Sequence, residues 1–218
     1  MTRKRFALVA AVAAALAALL TTAAWATTRA SGRGPDAMMG GGYGSAMMGG
    51  AGMMGGYGLP GDGRWVDSLD AARQRAQAFA DTLGLRVGEV MQFSNGFYAE
   101  LNTVDGSGVT EVLIDPANGS VSVEYGPAMM WNTSYGMHSG AASGSARVSA
   151  AQAQDEGQRW LDQQRPGLTA AEPEQFPGYV TLHTLRDGKL TGMMSVNTFT
   201  GAVWYHSWHG QYVAISED

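Results

Sequence analysis

Past residue 65 the apolar positions keep two rhythms in turn. Leu69, Ala72, Ala76, Phe79, Ala80 and Leu83 recur at helical spacing, behind Asp67 or Ser68 as a cap and ahead of Gly84 as a stop, and predict a helix over roughly 69–83. A second helix is predicted behind Ser149, which forms a capping box with Gln152; Trp160 and Leu161 supply its bulk, Gly157 weakens it modestly and Pro166-Gly167 ends it. After each helix come short alternating or β-branched runs. They are separated by Asn95-Gly96, Asp105-Gly106, Asn118-Gly119, Asp187-Gly188 and Thr200-Gly201, dipeptides that permit positive φ in hairpins. An antiparallel meander is expected behind each helix.

The two stretches align on one another without a gap at an offset of 82 residues: Phe79 on Leu161, Gly96 on Gly178, Asp105-Gly106 on Asp187-Gly188, Ile114-Asp115 on Val196-Asn197, and Gly119 on Gly201. The fold class expected is α+β, two tandem copies of a helix followed by a small antiparallel sheet. A two-residue turn at Asp187-Gly188 and a four-residue loop at Thr198–Gly201 pair His183 with Gly192 and Ser207, and Leu182 with Met193 and His206. In the first copy Leu101, Val112, Ile114, Val121 and Val123 then form the face that holds the helix, while Glu100, Asn102, Glu111, Ser122 and Glu124 face water. The same parity in the second copy puts Leu185, Leu190, Met194, Val196, Val203 and Tyr205 on its helix. It turns Leu182, Met193, Trp204, His206 and Trp208 outward. An apolar face of that kind is either a contact surface for a partner or the seam between the copies.

Ahead of the copies the chain changes character. Arg3, Lys4 and Arg5 precede an apolar run from Phe6 to Leu20 and the small-x-small Ala24-Trp25-Ala26, the pattern of an export signal; uncleaved, Phe6–Ala26 is long enough to act as a membrane anchor. Either way the remainder is expected outside the cytoplasm, as a secreted, periplasmic or membrane-anchored protein. Residues 32–63 hold 14 glycines and three Met-Met pairs, too little apolar area to fold alone, and read as a flexible tether. The organisation expected is therefore 1–26 signal or anchor, 27–65 linker, 66–126 first copy, 127–147 connector and 148–218 second copy.

Composition narrows the chemistry. The net charge is −5, and the three basic residues of the first 26 are matched by no acidic one, so the remainder carries −8. With so few cations and no basic stretch beyond the N-terminus, nucleic acid is not an expected partner. The absence of cysteine excludes disulfides and thiolate zinc sites.

The segments VLIDPANGSVSVEY (Val112–Tyr125) and SVNTFTGAVWYHSWHG (Ser195–Gly210) share an apolar strand, Asp or Asn, a Gly turn, then Val and an aromatic or acidic residue. This pattern resembles the PepSY domain, over about residues 66–213. The resemblance implies a module that binds or restrains peptidases or other proteins outside the cytoplasm, and it brings no catalytic residues. A Met/Gly-rich tether is not a general feature of that family.

Candidate chemistry is sparse. Leu182, Met193, Trp204, His206 and Trp208 are the candidate partner-binding residues, for an extracytoplasmic protein or peptidase. The thioethers of Met38, Met39, Met47, Met48, Met53 and Met54 suit soft ions, which makes Cu(I) or Ag(I) the candidate ligand of the tether, and Met137-His138 could join them; Met129, Met130 and Trp131 could instead lie over the tryptophans of the second copy. His206 and His209, three apart in one regular strand, point to opposite faces and are not expected to act jointly, whereas His183 and His209 share the inward face. Glu172 and Glu174 flank a proline in an exposed-looking loop. No nucleophile elbow, His-Glu-x-x-His or phosphate loop is present, and no enzyme is expected.

Overall fold

The computed structural model describes residues 58–137, 139 and 145–216, all inside one compact unit assigned to Met48–Asp218. The six methionines Met38, Met39, Met47, Met48, Met53 and Met54, His138, and the apolar run of residues 6–26 lie outside the described residues. Among the described residues no helix is long and apolar enough to cross a membrane.

Local signals in the chain set both long helices. Helix α1 (Leu69–Leu83) starts at Ser68, whose side chain accepts from the Ala71 N–H, and ends at Gly84 in the left-handed conformation at φ 69°. Behind it run β2 (Arg86–Phe93), β3 (Gly96–Asn102), β4 (Gly108–Ile114) and β5 (Val121–Val123), followed by a short helix α2 (Pro127–Met130). Helix α3 (Ala150–Gln164) has a full capping box between Ser149 and Gln152. It precedes β6 (Thr169–Phe176), β7 (Tyr179–Arg186), β8 (Lys189–Asn197) and β9 (Val203–Tyr205).

The chain is thus α+β, and rich in strand. Two further strands complete the larger sheet: β1 (Gly58–Leu59) pairs with β5, and β10 (Tyr212–Ser216) returns from the far sheet to pair with β2. The orders are β1-β5-β4-β3-β2-β10 and β6-β7-β8-β9, with every pair antiparallel. Residues 58–63, expected in the tether, are docked on the first sheet. A Cβ on Gly58 would meet the Val121 carbonyl oxygen at 2.4 Å and one on Gly61 the Asn118 carbonyl oxygen at 2.5 Å, so glycine here permits close backbone approach rather than slack.

Each sheet carries its helix on one face. Ala72, Ala76, Phe79 and Ala80 of α1 pack on Leu101, Val112, Ile114, Val121 and Val123, the face expected from alternation. Ala153 and Leu161 of α3 pack on Val180, Leu182, Met194 and Val196. The other faces meet each other, giving the order helix, sheet, sheet, helix; Met91, Phe93 and Tyr98 of the first sheet bury Met193 of the second.

This arrangement corrects two expectations. The face with Glu100, Glu111 and Glu124 is not wet: these residues are 9%, 0% and 0% exposed. Leu182 is not turned outward either, and lies fully buried under α3. The cause is a bulge in β8, where pairing runs Leu185 to Leu190 but Thr184 to Gly192. The extra residue moves His183 onto Met193 and Leu182 onto Met194, one step from the register of a regular hairpin.

Gly157 sits where α3 presses on its sheet, and a Cβ there would lie 2.8 Å from Leu182 Cδ1 and 3.5 Å from Met194 Sδ. Gly157→Val is expected to lower stability by about 1–3 kcal/mol through overpacking, read as a lower urea midpoint at unchanged slope.

Candidate functional site

The layer between the two sheets is where the ionisable side chains gather. At its centre Glu111 from β4 is fully buried; its Oε1 accepts from Tyr98 Oη at 2.7 Å and from Thr181 Oγ1 of the opposite sheet at 2.8 Å. Thr181 continues to Ser195 Oγ (2.9 Å), which meets His206 Nε2 at 2.9 Å. One chain of hydrogen bonds therefore runs across the seam. Burial pushes the Glu111 carboxyl up to about 8, with the Glu124 charge adding to it and the Tyr98 and Thr181 hydroxyls opposing.

At one side of the seam an acidic cavity of about 230 Å³ opens between Glu89, Glu100, Glu172, Glu174, Thr181 and His183. Bulges in β2 and β6 supply two of these carboxylates, Glu89 between Val87 and Val90 and Glu172 between Ala171 and Glu174. Glu172 takes φ 50°, a left-handed conformation uncommon for a side chain of its size. Both carboxylates are aimed at His183, whose Nε2 lies 3.0 Å from Glu89 and whose Nδ1 lies 2.5 Å from Glu172. Burial depresses the imidazole, but the hydrogen bonds and charges of Glu89 and Glu172 outweigh it and hold His183 up at about 9. Glu100 has no such partner. Burial, then the like charges of Glu89, Glu111 and Glu174, raise it to about 8 against the pull of His183. Glu172 and Glu174, expected in an exposed loop, belong to β6 and line this cavity.

On another side the chain leaves the second sheet. Strand β9 stops at Tyr205, and the turn that follows bends back on itself, with the His209 N–H donating to the His206 carbonyl at 3.4 Å. The two histidines, expected on opposite faces of a strand, therefore come together with ring centroids 5.4 Å apart. His209 shares neither cavity nor partner with His183. Glu124, just beyond β5, lies between them, its Oε1 at 2.6 Å from His209 Nε2 and 3.0 Å from Trp208 Nε1. Burial drives all three toward neutrality: Glu124 up to about 8, His209 down to about 3, and His206 well down. Trp208 is stacked on His206 at 4.5 Å, over Gly126, where a Cβ would fall 2.7 Å from the indole.

The expected aromatic partner face is thereby divided. Leu182, Met193 and His206 are 0%, 1% and 2% exposed and have no surface to present, while Trp204 and Trp208 are half-buried and in edge contact at 6.2 Å. Trp131 of the connector lies on Trp204 at 5.4 Å, and Met129 packs on the first core. Met137 is 52% exposed. Alternation alone misses the Glu89 and Glu172 bulges and the pairing of the two histidines.

No family model and no curated protein matches the chain. Among solved structures it is similar to the Bacillus megaterium YpeB C-terminal domain, with 11% identity and a TM-score of 0.32 over 71% of this chain and 66% of that one. The chain thus spans just under two thirds of that structure, and a likeness at this TM-score carries no argument here.

The raised groups fix the sign of the pH dependence. Between about pH 4.5 and 8 the folded chain holds protons on Glu100 and Glu111 that the unfolded chain releases, and His183 does the same between 6.5 and about 9. His206 and His209, depressed by burial, weaken the fold only below about 6.5. The urea midpoint is expected to fall as pH rises from 6.5 to 9. Glu111→Gln, which keeps an acceptor for Tyr98 and Thr181, is expected to flatten that fall.

Proposed function

We propose that this chain is an exported, non-enzymatic binding protein of two PepSY-like units, and that its acidic cavity holds a basic side chain of an extracytoplasmic protein or peptide. The observation that carries this reading is Glu100, a carboxyl 9% exposed, with no hydrogen-bond partner among the described residues, facing a cavity that Glu89, Glu172 and Glu174 also line. His183 is already held between Glu89 and Glu172, which leaves Glu100 and Glu174 with no cation in contact and with like charges around them. An ammonium or guanidinium group entering the cavity relieves that repulsion. A guanidinium, with its planar fork of donors, serves two carboxylates at once. The cavity of about 230 Å³ is several times the ~30 Å³ share of one water, room for the end of an arginine side chain. The acidic surface of the exported part draws basic partners over longer range.

The test is calorimetric titration with an arginine-containing peptide amide, against the same peptide with citrulline in its place. Binding is expected for arginine alone and is expected to drop at least tenfold in Glu100→Gln/Glu174→Gln, with Trp204→Ala unchanged. A guest cation favours the ionised Glu100, so affinity is expected to climb with pH up to about 8. Equal binding of both peptides, or none, rejects the reading.

A further inference from the structure

The three groups gathered at the crossing turn carry a separate inference. The geometry points to a metal site formed by Glu124, His206 and His209, which takes a divalent transition ion of borderline character such as Zn²⁺, Co²⁺ or Cu²⁺. Their ligand atoms all lie within 4.8 Å of one another. His206 Nδ1 lies 3.7 Å and His209 Nε2 2.6 Å from Glu124 Oε1. Metal–ligand bonds of about 2.0–2.2 Å at tetrahedral angles set donors roughly 3.3–3.5 Å apart. The His206 distance is close to that already, and His209 needs to draw back by less than ~1 Å.

Unused hydrogen-bonding capacity supports the assignment. His206 Nδ1, the ligand atom of that ring, is buried without a partner, in a class of atom that is nearly always satisfied; the far atoms of the other two groups, Glu124 Oε2 and His209 Nδ1, are likewise unpartnered. His206 in particular spends its other nitrogen on Ser195 Oγ, which fixes the ring and leaves Nδ1 turned toward Glu124. That is how the outer shell of a metal site holds an imidazole. Trp208 closes over His206 and keeps the site apolar on that side. A second cavity of about 220 Å³ is lined by His206, His209, Ser207, Gly210, Tyr205 and Arg165 among others.

The donor set selects the ion. Two imidazoles and one carboxylate suit zinc, cobalt and copper(II), and three protein ligands leave a position for water from the cavity. Calcium and magnesium require more oxygens than the site supplies. Copper(I) and silver favour thioethers, which this centre lacks.

Titration of residues 27–218 with Co²⁺ tests the assignment, because cobalt held by imidazole and carboxylate shows visible ligand-field absorption and thioethers bind it poorly. One equivalent is expected to develop that absorption, and Zn²⁺ to abolish it by displacement. Glu124→Gln keeps the size of the side chain and a carbonyl acceptor for Trp208 and His209, so it is expected to fold, as judged by circular dichroism, and to bind Co²⁺ at least tenfold more weakly. His209→Asn is expected to lose the absorption. Ser195→Ala, which frees the His206 ring, is expected to weaken binding without removing the band. No ligand-field absorption at one equivalent, or an unchanged titration in folded Glu124→Gln and His209→Asn, overturns the assignment.

Discussion

Two sheets stack only when both inner faces leave water, and here one of those faces carries Glu100, Glu111 and Glu124. Burying an ionised carboxylate without compensation costs several kcal/mol even after relaxation, far more than a leucine in the same place. The fold meets this with donors from both layers, Tyr98 from the same sheet and Thr181 from the other, on a single oxygen of Glu111. A greasy seam tolerates sliding, because dispersion is indifferent to small changes of register. A carboxyl that must find one hydroxyl on the facing strand is not indifferent, so this contact ties β4 to β7 at one setting. Through Ser195 the same chain of bonds reaches His206.

Much of the architecture was legible in local pattern. The caps at Ser68, Gly84 and Ser149 and the helix-bearing face of the first sheet follow from spacing and from the stereochemistry of single residues. The second sheet was harder for a specific reason. Alternation transfers a face assignment along a strand only while pairing stays regular, and the single bulge beside Thr191 reverses inside and outside for Leu182. The marks were there, Gly192 beside Thr191, Gly88 beside Glu89 and Pro173 beside Glu172, but a glycine or proline in a strand points to a bulge without saying which way the register moves or which side chain it presents.

The candidate sites were less legible still, because each is assembled from elements distant in the chain. Glu124 and His209 meet across 85 residues, and Glu89 and His183 across 94. Acidic residues alternating with apolar ones ordinarily mark a solvated face, and that rule failed where a second sheet covers the first. The histidine pair was hidden by an assumption of continuous strand. Three residues of separation mean opposition in a strand and proximity in a tight turn. The sequence SWHG after His206 places a glycine just past that turn, where a Cβ would strike Ser94 Oγ at 2.3 Å.

Strand β10 lies beside β2, and Ser94 and Asn95 at the end of β2 hold the segment that delivers it through bonds to Gln211, Gly210 and Trp208. The first sheet, begun at residue 58, is therefore finished by residues 212–216, after the whole of the second sheet has been laid down. A chain made from its N-terminus presents the other strands of that sheet well before the one that closes it. Its early half must wait, with one sheet edge open, until its far end has been made. Completion of the first sheet is thereby coupled to completion of the chain, and a chain halted before residue 212 is left with an unpaired β2 edge, a ready template for pairing with another chain.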